Sequence, residues 1–199
     1  YFNPFRSFFC LRIYSLFDYL YICVLNYYAM SQYYVYIHLE KYLAEWLLHQ
    51  FGQNGQIRFP RGSAENDILE YSLTTQPADI PVPLKSPDSL AIEIPYFKTK
   101  DPRYYNFLPP RAKKALERTI YIRFRIELWN ELHTFDSLSH NLSDLIWTFM
   151  EKHEIADDPK SWETIRQMYF RMRKTYQKKQ QRNATSSKEE FNNAVQNAQ

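Results

Sequence analysis

The chain has 199 residues, a formal net charge of +3 and an aromatic content of 18%. This length suits one domain, or a small domain with an appendage, and the aromatic content allows a sizeable hydrophobic core. Both cysteines, Cys10 and Cys23, precede the first methionine, Met30. A protein that starts at Met30 has no cysteine, which excludes a disulfide, a thiolate metal site and a cysteine nucleophile.

The N-terminal segment 1–29 is rich in Phe and Tyr, contains no glycine and shows no clear period. We expect that it is not native and derives from translation upstream of a start at Met30. The alternative is a membrane anchor. However, Arg12 and Asp18 interrupt the apolar stretch, and an Asp at the bilayer centre costs roughly 2.5–3.5 kcal/mol. With a start at Met30 we expect a cytoplasmic protein that is not bound to a membrane.

Residues 30–110 carry the patterns of a small α+β half. Alternation and β-branched or aromatic content predict three strands: 32–39, 57–60 and a longer one from Leu90. Helical patterns predict two helices: one over 40–52 and one that Ser63 caps at its N-terminus. The segment 74–89 holds four prolines and predicts an extended loop.

Residues 111–182 carry a helical pattern throughout. Three helices are predicted: one that begins at Pro110, one over about 142–153, and one from an N-cap at Ser161 to about Gln181. The segment 183–199 is rich in Asn, Gln and Ser, which predicts a disordered tail. The expected fold class is therefore α+β, a small mixed half followed by three C-terminal helices that include a helix-turn-helix-like pair.

The charges are segregated along the chain. Segments 98–125 and 162–182 have net charges of +7 and +6, whereas the segment between them, 126–161, has a net charge of −6. Basic clusters of this kind favour a polyanionic partner, most often a nucleic acid. The alternative is that acidic and basic segments pair within the fold and largely cancel.

The last predicted helix has two different faces. On a helical wheel, Met168, Tyr169, Met172 and Tyr176 lie within about 60° of Ile165, which predicts a buried stripe. The opposite face is cationic and suits contact with phosphates. In a helix-turn-helix, base contacts come from the early residues of the second helix, here Glu163, Thr164, Arg166, Gln167 and Phe170. The residues then expected to bind phosphate are Arg171, Arg173, Lys174, Lys178 and Lys179.

Two features count against a helix-turn-helix. The connection of about six residues is longer than the usual three or four. Asp157 and Asp158 precede the last helix, where they suit its dipole but would repel phosphates. The alternatives for the cationic face are a solvated surface and a groove for a protein partner.

A second basic cluster surrounds the predicted start of the long helix. Tyr104, Tyr105 and Phe107 are interleaved there with basic residues, a combination that can bind single-stranded nucleic acid by stacking and phosphate contact. The basic residues of this patch are Lys98, Lys100, Arg103, Arg111, Lys113 and Lys114. The favoured alternative is that the aromatic rings pin a loop to the core while the basic groups stay solvated.

No catalytic, cofactor or metal signature is present in the sequence. None of the five histidines forms an H-x-x-x-H pair. Asp67, Glu93 and Lys98 suggest a nuclease set, but the Glu and Lys lack the i, i+2 spacing expected on a strand. We therefore predict a non-enzymatic protein with no cofactor and no metal ion.

The helical pair "LSDLIWTFMEKHEI" and "SWETIRQMYFRMRK" resembles the helix-turn-helix regulators of phages and mobile elements, Mor-type middle-operon activators among them. This resemblance implies a dimeric DNA-binding transcription activator with a mixed N-terminal dimerisation part. The predicted function is a DNA-binding transcriptional regulator or accessory factor, with DNA favoured over RNA as partner. The alternative is a protein-interaction or structural accessory protein whose basic surface meets an acidic partner.

Overall fold

The computed structural model describes residues 33–81, 85–136 and 141–196, with side chains for all of these except 134–136 and 186–196. The fold is α+β, as the sequence predicted, with a four-stranded sheet in the N-terminal half and helices in the C-terminal half. The chain forms two compact units: residues up to His38 with Phe51–Glu117, and Leu39–Gln50 with Arg118–Gln199.

The first unit is built on a sheet of strand order β1-β4-β3-β2. Its strands are β1 Tyr34–Ile37, β2 Gly52–Gln53, β3 Gln56–Ile57 and β4 Leu90–Glu93. β4 is antiparallel to β1 and parallel to β3, and β2 and β3 are antiparallel to each other. Ile57 and Ile92 lie opposite each other in β3 and β4, and both are fully buried.

The strands are shorter than the sequence alternation indicated. The strand predicted at 57–60 is confined to the second arm of a hairpin, whose turn residues Asn54 and Gly55 have φ angles of 52° and 76°. Positive φ at both positions is the type I′ geometry that an Asn-Gly pair favours. The last strand ends at Glu93, and Pro95, which lacks an amide hydrogen, cannot extend the ladder.

Helix α2 (Ala64–Ser72) begins at the predicted cap, because the Ser63 hydroxyl accepts a hydrogen bond from the Asn66 amide at 3.2 Å. The proline-rich loop that follows is tied down at its first residue. Thr74 N donates to Phe107 O at 2.9 Å, and Phe107 N donates to Thr74 O at 3.1 Å. Residues 82–84 of this loop lie outside the described part of the chain.

The second unit consists of helical segments. Its helices are α1 Lys41–Phe51, α3 Pro110–Asp136, α4 Leu142–Lys152 and α5 Pro159–Gln196, with the first turns of α3 belonging to the first unit. The period-four pattern of α3 is buried as predicted, since Ile120, Phe124 and Leu128 are fully inaccessible to solvent. The ring of Phe124 lies 5.3 Å from the Trp46 ring and 5.9 Å from the Phe149 ring.

The boundary between the two halves differs from the one expected at residue 110. Helix α1, which precedes it in sequence, belongs to the helical unit rather than to the unit that holds the strands. The apolar face of α1 explains this, because Tyr42 and Trp46 pack against Phe124 of α3 with ring separations of 5.3 Å each. Burial raises the pKa of the Tyr42 hydroxyl well above its usual value.

Helix α5 begins two residues before the predicted N-cap, so Ser161 is not the cap. Asp158 fills that role, with its carboxylate accepting from the Lys160 and Ser161 amides at 3.4 Å each. Pro159 suits the first helical position because its missing amide hydrogen is not needed there. Hydrogen bonds from Ser161 and the two amides lower the pKa of Asp158.

Helix α5 also continues to Gln196, so the tail expected from residue 183 is helical over 183–196. The segment contains no proline or glycine that would stop the helix. No helix among the described residues is long and apolar enough to cross a membrane. The segment 1–29, for which upstream translation or an anchor was expected, lies outside the described residues.

Candidate nucleic-acid interface

The predicted helical pair is formed by α4 and α5, which pack against each other around a six-residue connection, 153–158. The turn is closed by Ile155, whose amide donates to Met150 O at 2.9 Å and whose side chain is buried. Glu154 has a φ of 52°, the left-handed conformation that reverses the chain after a helix. Beyond the turn, the Trp147 and Trp162 rings stack at 5.7 Å.

The buried stripe of α5 extends through its first three turns. Ile165, Met168 and Tyr169 are buried, as predicted. Met172 is half-buried, and Tyr176 is 41% exposed, although its ring lies 5.3 Å from that of Trp129 on α3. Every described residue from position 177 to 185 is exposed. Among the described side chains of this helix, packing is therefore confined to the part before residue 177.

The residues expected to face DNA bases are bonded to one another along the helix. Arg166 donates from Nε and Nη2 to the two carboxylate oxygens of Glu163 at 2.8 and 3.0 Å. Gln167 donates to the same carboxylate at 2.9 Å, and the Thr164 hydroxyl donates to the Lys160 carbonyl at 2.8 Å. These bonds from Arg166 and Gln167 lower the pKa of Glu163 to about 2. Arg166 consequently has a carboxylate partner before any base approaches.

Aromatic rings hold Arg166 on both sides. Its guanidinium carbon lies 5.4 Å from the ring centroid of Trp162 and 5.4 Å from that of Phe170. Phe170 is 43% exposed and Trp147 is 37% exposed, so both rings remain accessible. Phe170 and Trp147 thus offer stacking faces, while Arg166 is held by cation–π contacts with Trp162 and Phe170 and by Glu163.

The residues expected to bind phosphate differ from one another in their exposure and in their partners. Lys174, Lys178 and Lys179 are exposed and form no ion pair with any described residue. Arg171 is exposed and donates to Gln167 at 3.3 Å, and Arg173 is half-buried with contacts of its own. Arg182 was not among the predicted contacts because α5 was expected to end before it, but it is exposed on the same helix.

We define the distal cationic face as four exposed cations of α5 that lie between residues 174 and 182. Its members are Lys174, Lys178, Lys179 and Arg182. Spacings of four residues place Lys174, Lys178 and Arg182 on one side of a helix. Lys179 lies beside them, about 100° further round the axis from Lys178.

Two basic residues of the second patch form hydrogen bonds within the first unit. The Lys100 ammonium donates to the Tyr71 and Leu73 carbonyls at 3.0 and 2.8 Å, at the C-terminus of α2. Arg103 donates to both oxygens of Asp101, and these bonds lower the pKa of that carboxyl. Of the other members, Lys98, Arg111 and Lys114 are exposed and Lys113 is half-buried.

The aromatic residues of this patch are not equivalent. Tyr104 is 66% exposed, whereas Tyr105 and Phe107 are half-buried. The Phe107 backbone forms the bridge to Thr74, and the Lys100 ammonium lies 6.0 Å from the Tyr105 ring centroid. The Phe107 backbone thus holds this loop to Thr74, and Tyr104 is the most exposed of the three rings.

Of the carboxylates considered for a nuclease site, Glu93 is held by an arginine. Arg58 donates from Nε and Nη2 to the two oxygens of Glu93, at 2.8 and 2.6 Å. The Glu93 side chain is 10% exposed. A carboxylate held in this way stabilises the sheet and has no oxygen free of the guanidinium.

A different set of metal-ligating side chains does come together in the second unit. Atoms of Glu127, Glu131 and His153 all lie within 4.8 Å of one another. No metal site was predicted from the sequence. Glu127 and Glu131 are four residues apart on α3 and therefore share a face. His153 is distant from them in sequence, and folding of the chain brings it close. The i, i+4 glutamate pair was the one visible signal.

No protein-family model, curated protein or solved structure matches this chain, so its geometry is the basis for assigning a function.

Proposed function

We propose that the protein is a cytoplasmic, non-enzymatic DNA-binding protein, acting as a transcriptional regulator or accessory factor. The distal cationic face is the main contact with the phosphate backbone. The proposal depends on one observation: the four cations lie on a helix segment that buries almost nothing and have no ion pair among the described residues. Such groups can contact phosphates and release counterions without first breaking an internal pair.

The proximal part of α5 has a different role in this proposal. Arg166 is bonded to Glu163 and enclosed by Trp162 and Phe170, so it positions the aromatic surface rather than reading a guanine edge. Base discrimination by a bidentate arginine would first require breaking the bonds to Glu163. The expected binding is therefore dominated by phosphate contact and has low sequence preference.

The test is fluorescence-anisotropy binding of the full chain to a random-sequence duplex and to the corresponding single strand. One variant changes Lys174, Lys178, Lys179 and Arg182 to alanine. Four phosphate contacts predict that wild-type affinity falls by roughly a hundredfold between about 50 and 200 mM salt. The variant should lose most of its affinity at the lower salt concentration, together with this salt dependence.

A matched control removes four positive charges elsewhere. It changes Lys41, Arg61, Lys85 and Arg118, all exposed, to alanine. Both variants lower the formal net charge from +3 to −1. Equal loss of affinity in both would mean that overall charge, not α5, determines binding. Absence of wild-type binding to either nucleic acid would reject the proposal and favour an acidic protein partner.

A further inference from the structure

The second unit contains a mixed cluster of one imidazole and two carboxylates. His153 Nε2 lies 3.1 Å from Glu131 Oε1 and 4.0 Å from Glu127 Oε1. The His153 side chain is 2% exposed, whereas the side chains of Glu127 and Glu131 are 29% and 22% exposed. The imidazole is thus fixed in the interior, and solvent reaches the cluster from the carboxylate side.

Two further side chains, those of Trp46 and Gln50, orient these groups through hydrogen bonds. The Trp46 indole nitrogen, on a fully buried residue, donates to Glu127 Oε2 at 3.1 Å. The Gln50 amide nitrogen donates to Glu127 Oε1 at 2.9 Å and lies 3.3 Å from His153 Nδ1. In protein metal sites, a ligating histidine and carboxylate are usually held by outer partners of this kind.

We propose that Glu127, Glu131 and His153 bind one divalent transition-metal ion, and Zn²⁺ is the ion that we expect. Nitrogen and carboxylate oxygen ligands are those that Zn²⁺ accepts, and an imidazole disfavours Mg²⁺ and Ca²⁺, which prefer oxygen ligands. Three protein ligands leave a coordination position for water. A cavity of about 390 Å³ borders the cluster at Glu131 and Lys152.

Metal binding requires one rearrangement of the hydrogen bonds. The Gln50 amide nitrogen must face Glu127, a carboxylate that only accepts, so His153 Nδ1 accepts from Gln50 and His153 Nε2–H donates to Glu131. To coordinate through Nε2, the imidazole shifts its proton to Nδ1. Glu127 Oε1 leaves the Gln50 amide for the ion, and Gln50 turns its amide so that Oε1 accepts the Nδ1 proton. No net proton is lost, and Gln50 is a positioning residue.

Lys152 opposes the ion in this arrangement. Its ammonium donates to Glu131 Oε1 at 2.7 Å and therefore competes with an ion for this oxygen. The Lys152 side chain is 59% exposed and can turn into solvent when the ion binds. Removal of this ammonium should therefore strengthen metal binding. A purely structural hydrogen-bond network would show no such gain.

The test is calorimetric titration of the full chain with Zn²⁺ and, separately, with Mg²⁺. We expect one Zn²⁺ per chain and no uptake of Mg²⁺. Glu127→Gln and Glu131→Gln should each weaken Zn²⁺ binding tenfold or more, Trp46→Phe by roughly tenfold, and Lys152→Met should tighten it several-fold. Glu151→Gln, at an exposed position on α4, is the matched control and should change nothing.

Thermal unfolding of each variant without metal shows whether it is folded, and the glutamine substitutions preserve the shape of the carboxylates. Equal Zn²⁺ affinity in wild type and both glutamine variants would overturn the proposal and assign the binding to exposed histidines such as His38. A Lys152→Met variant with unchanged or weaker Zn²⁺ affinity would also overturn it, because the ion would not then occupy the position next to Glu131.

Discussion

At the scale of single residues, Glu163 determines what Arg166 can do. Three residues separate them along α5, and both guanidinium bonds end on the Glu163 carboxylate. An arginine is the side chain best suited to read guanine, but a bidentate carboxylate satisfies the same donors that guanine would use. Residue type and spacing alone do not show that this arginine already has a carboxylate partner.

The Glu163–Arg166 pair predicts a specific pH dependence of stability. The pKa of Glu163 is lowered from 4.5 to about 2 in the folded chain, so the unfolded chain binds the proton first as the pH falls. The contribution of the pair is complete above pH 4.5 and is lost as the pH approaches 2. In urea unfolding, wild type should be more stable than Glu163→Gln near neutral pH, and this small difference should shrink below pH 4.5.

Glu151→Gln serves as the control for this measurement, because the Glu151 side chain is exposed on α4 and has no ion pair among the described residues. Its difference from wild type should not follow the same acid transition. A Glu163→Gln difference that stays constant down to about pH 3 would show that the pair contributes nothing to folding.

At the scale of the elements, α5 combines a packed segment with a free one. Its 38 residues correspond to about 57 Å of helix, but among its side chains that the structure describes, up to residue 185, the buried hydrophobic ones all lie at or before Tyr169. An isolated helix segment of this kind receives little stability from tertiary contact. It is suited to bind along an extended partner, which is the role assigned to it above.

This division predicts that two substitutions in α5 change different properties, one the global stability and the other the helical content. Ile165→Ala removes a fully buried side chain and should lower the free energy of unfolding by about 2–4 kcal/mol. Ala184→Pro breaks the helix where every described neighbour is exposed. It should reduce the helical circular-dichroism signal while changing the global unfolding free energy by less than about 0.5 kcal/mol. A large loss of stability in Ala184→Pro would mean that the free segment is packed in solution.

At the scale of the whole molecule, the sequence predicted local patterns better than long-range partnerships. The period-four pattern through Ile120, Phe124 and Leu128 was sufficient to predict the long helix α3. No local pattern shows that Trp46 packs on Phe124, the contact that groups α1 with the helical unit. Helix ends and the approach of His153 to Glu131 depend on competing contacts that are distant in sequence.

The same limit applies to the candidate sites. Residue types predicted a cationic face on the last helix, and Lys174, Lys178 and Lys179 are exposed as that required. The sequence did not predict that Glu163 would bind Arg166 or that Arg182 would extend the face, because α5 was expected to end near Gln181. Side-chain pairing and helix length are decided by the three-dimensional environment, which single-residue preferences do not contain.

Hydrogen exchange measured over the whole chain tests both the packing and the proposed function. Amides of α3 between Ile120 and Leu128 should exchange most slowly, since the side chains of Ile120, Phe124 and Leu128 lie in the core of the second unit. Amides over 177–185 should exchange fastest among the helices, because that segment is exposed throughout. Addition of duplex DNA should then increase protection over 171–182 without changing α3. Strong protection of 177–185 before DNA is added would instead indicate that another copy or partner already covers this segment.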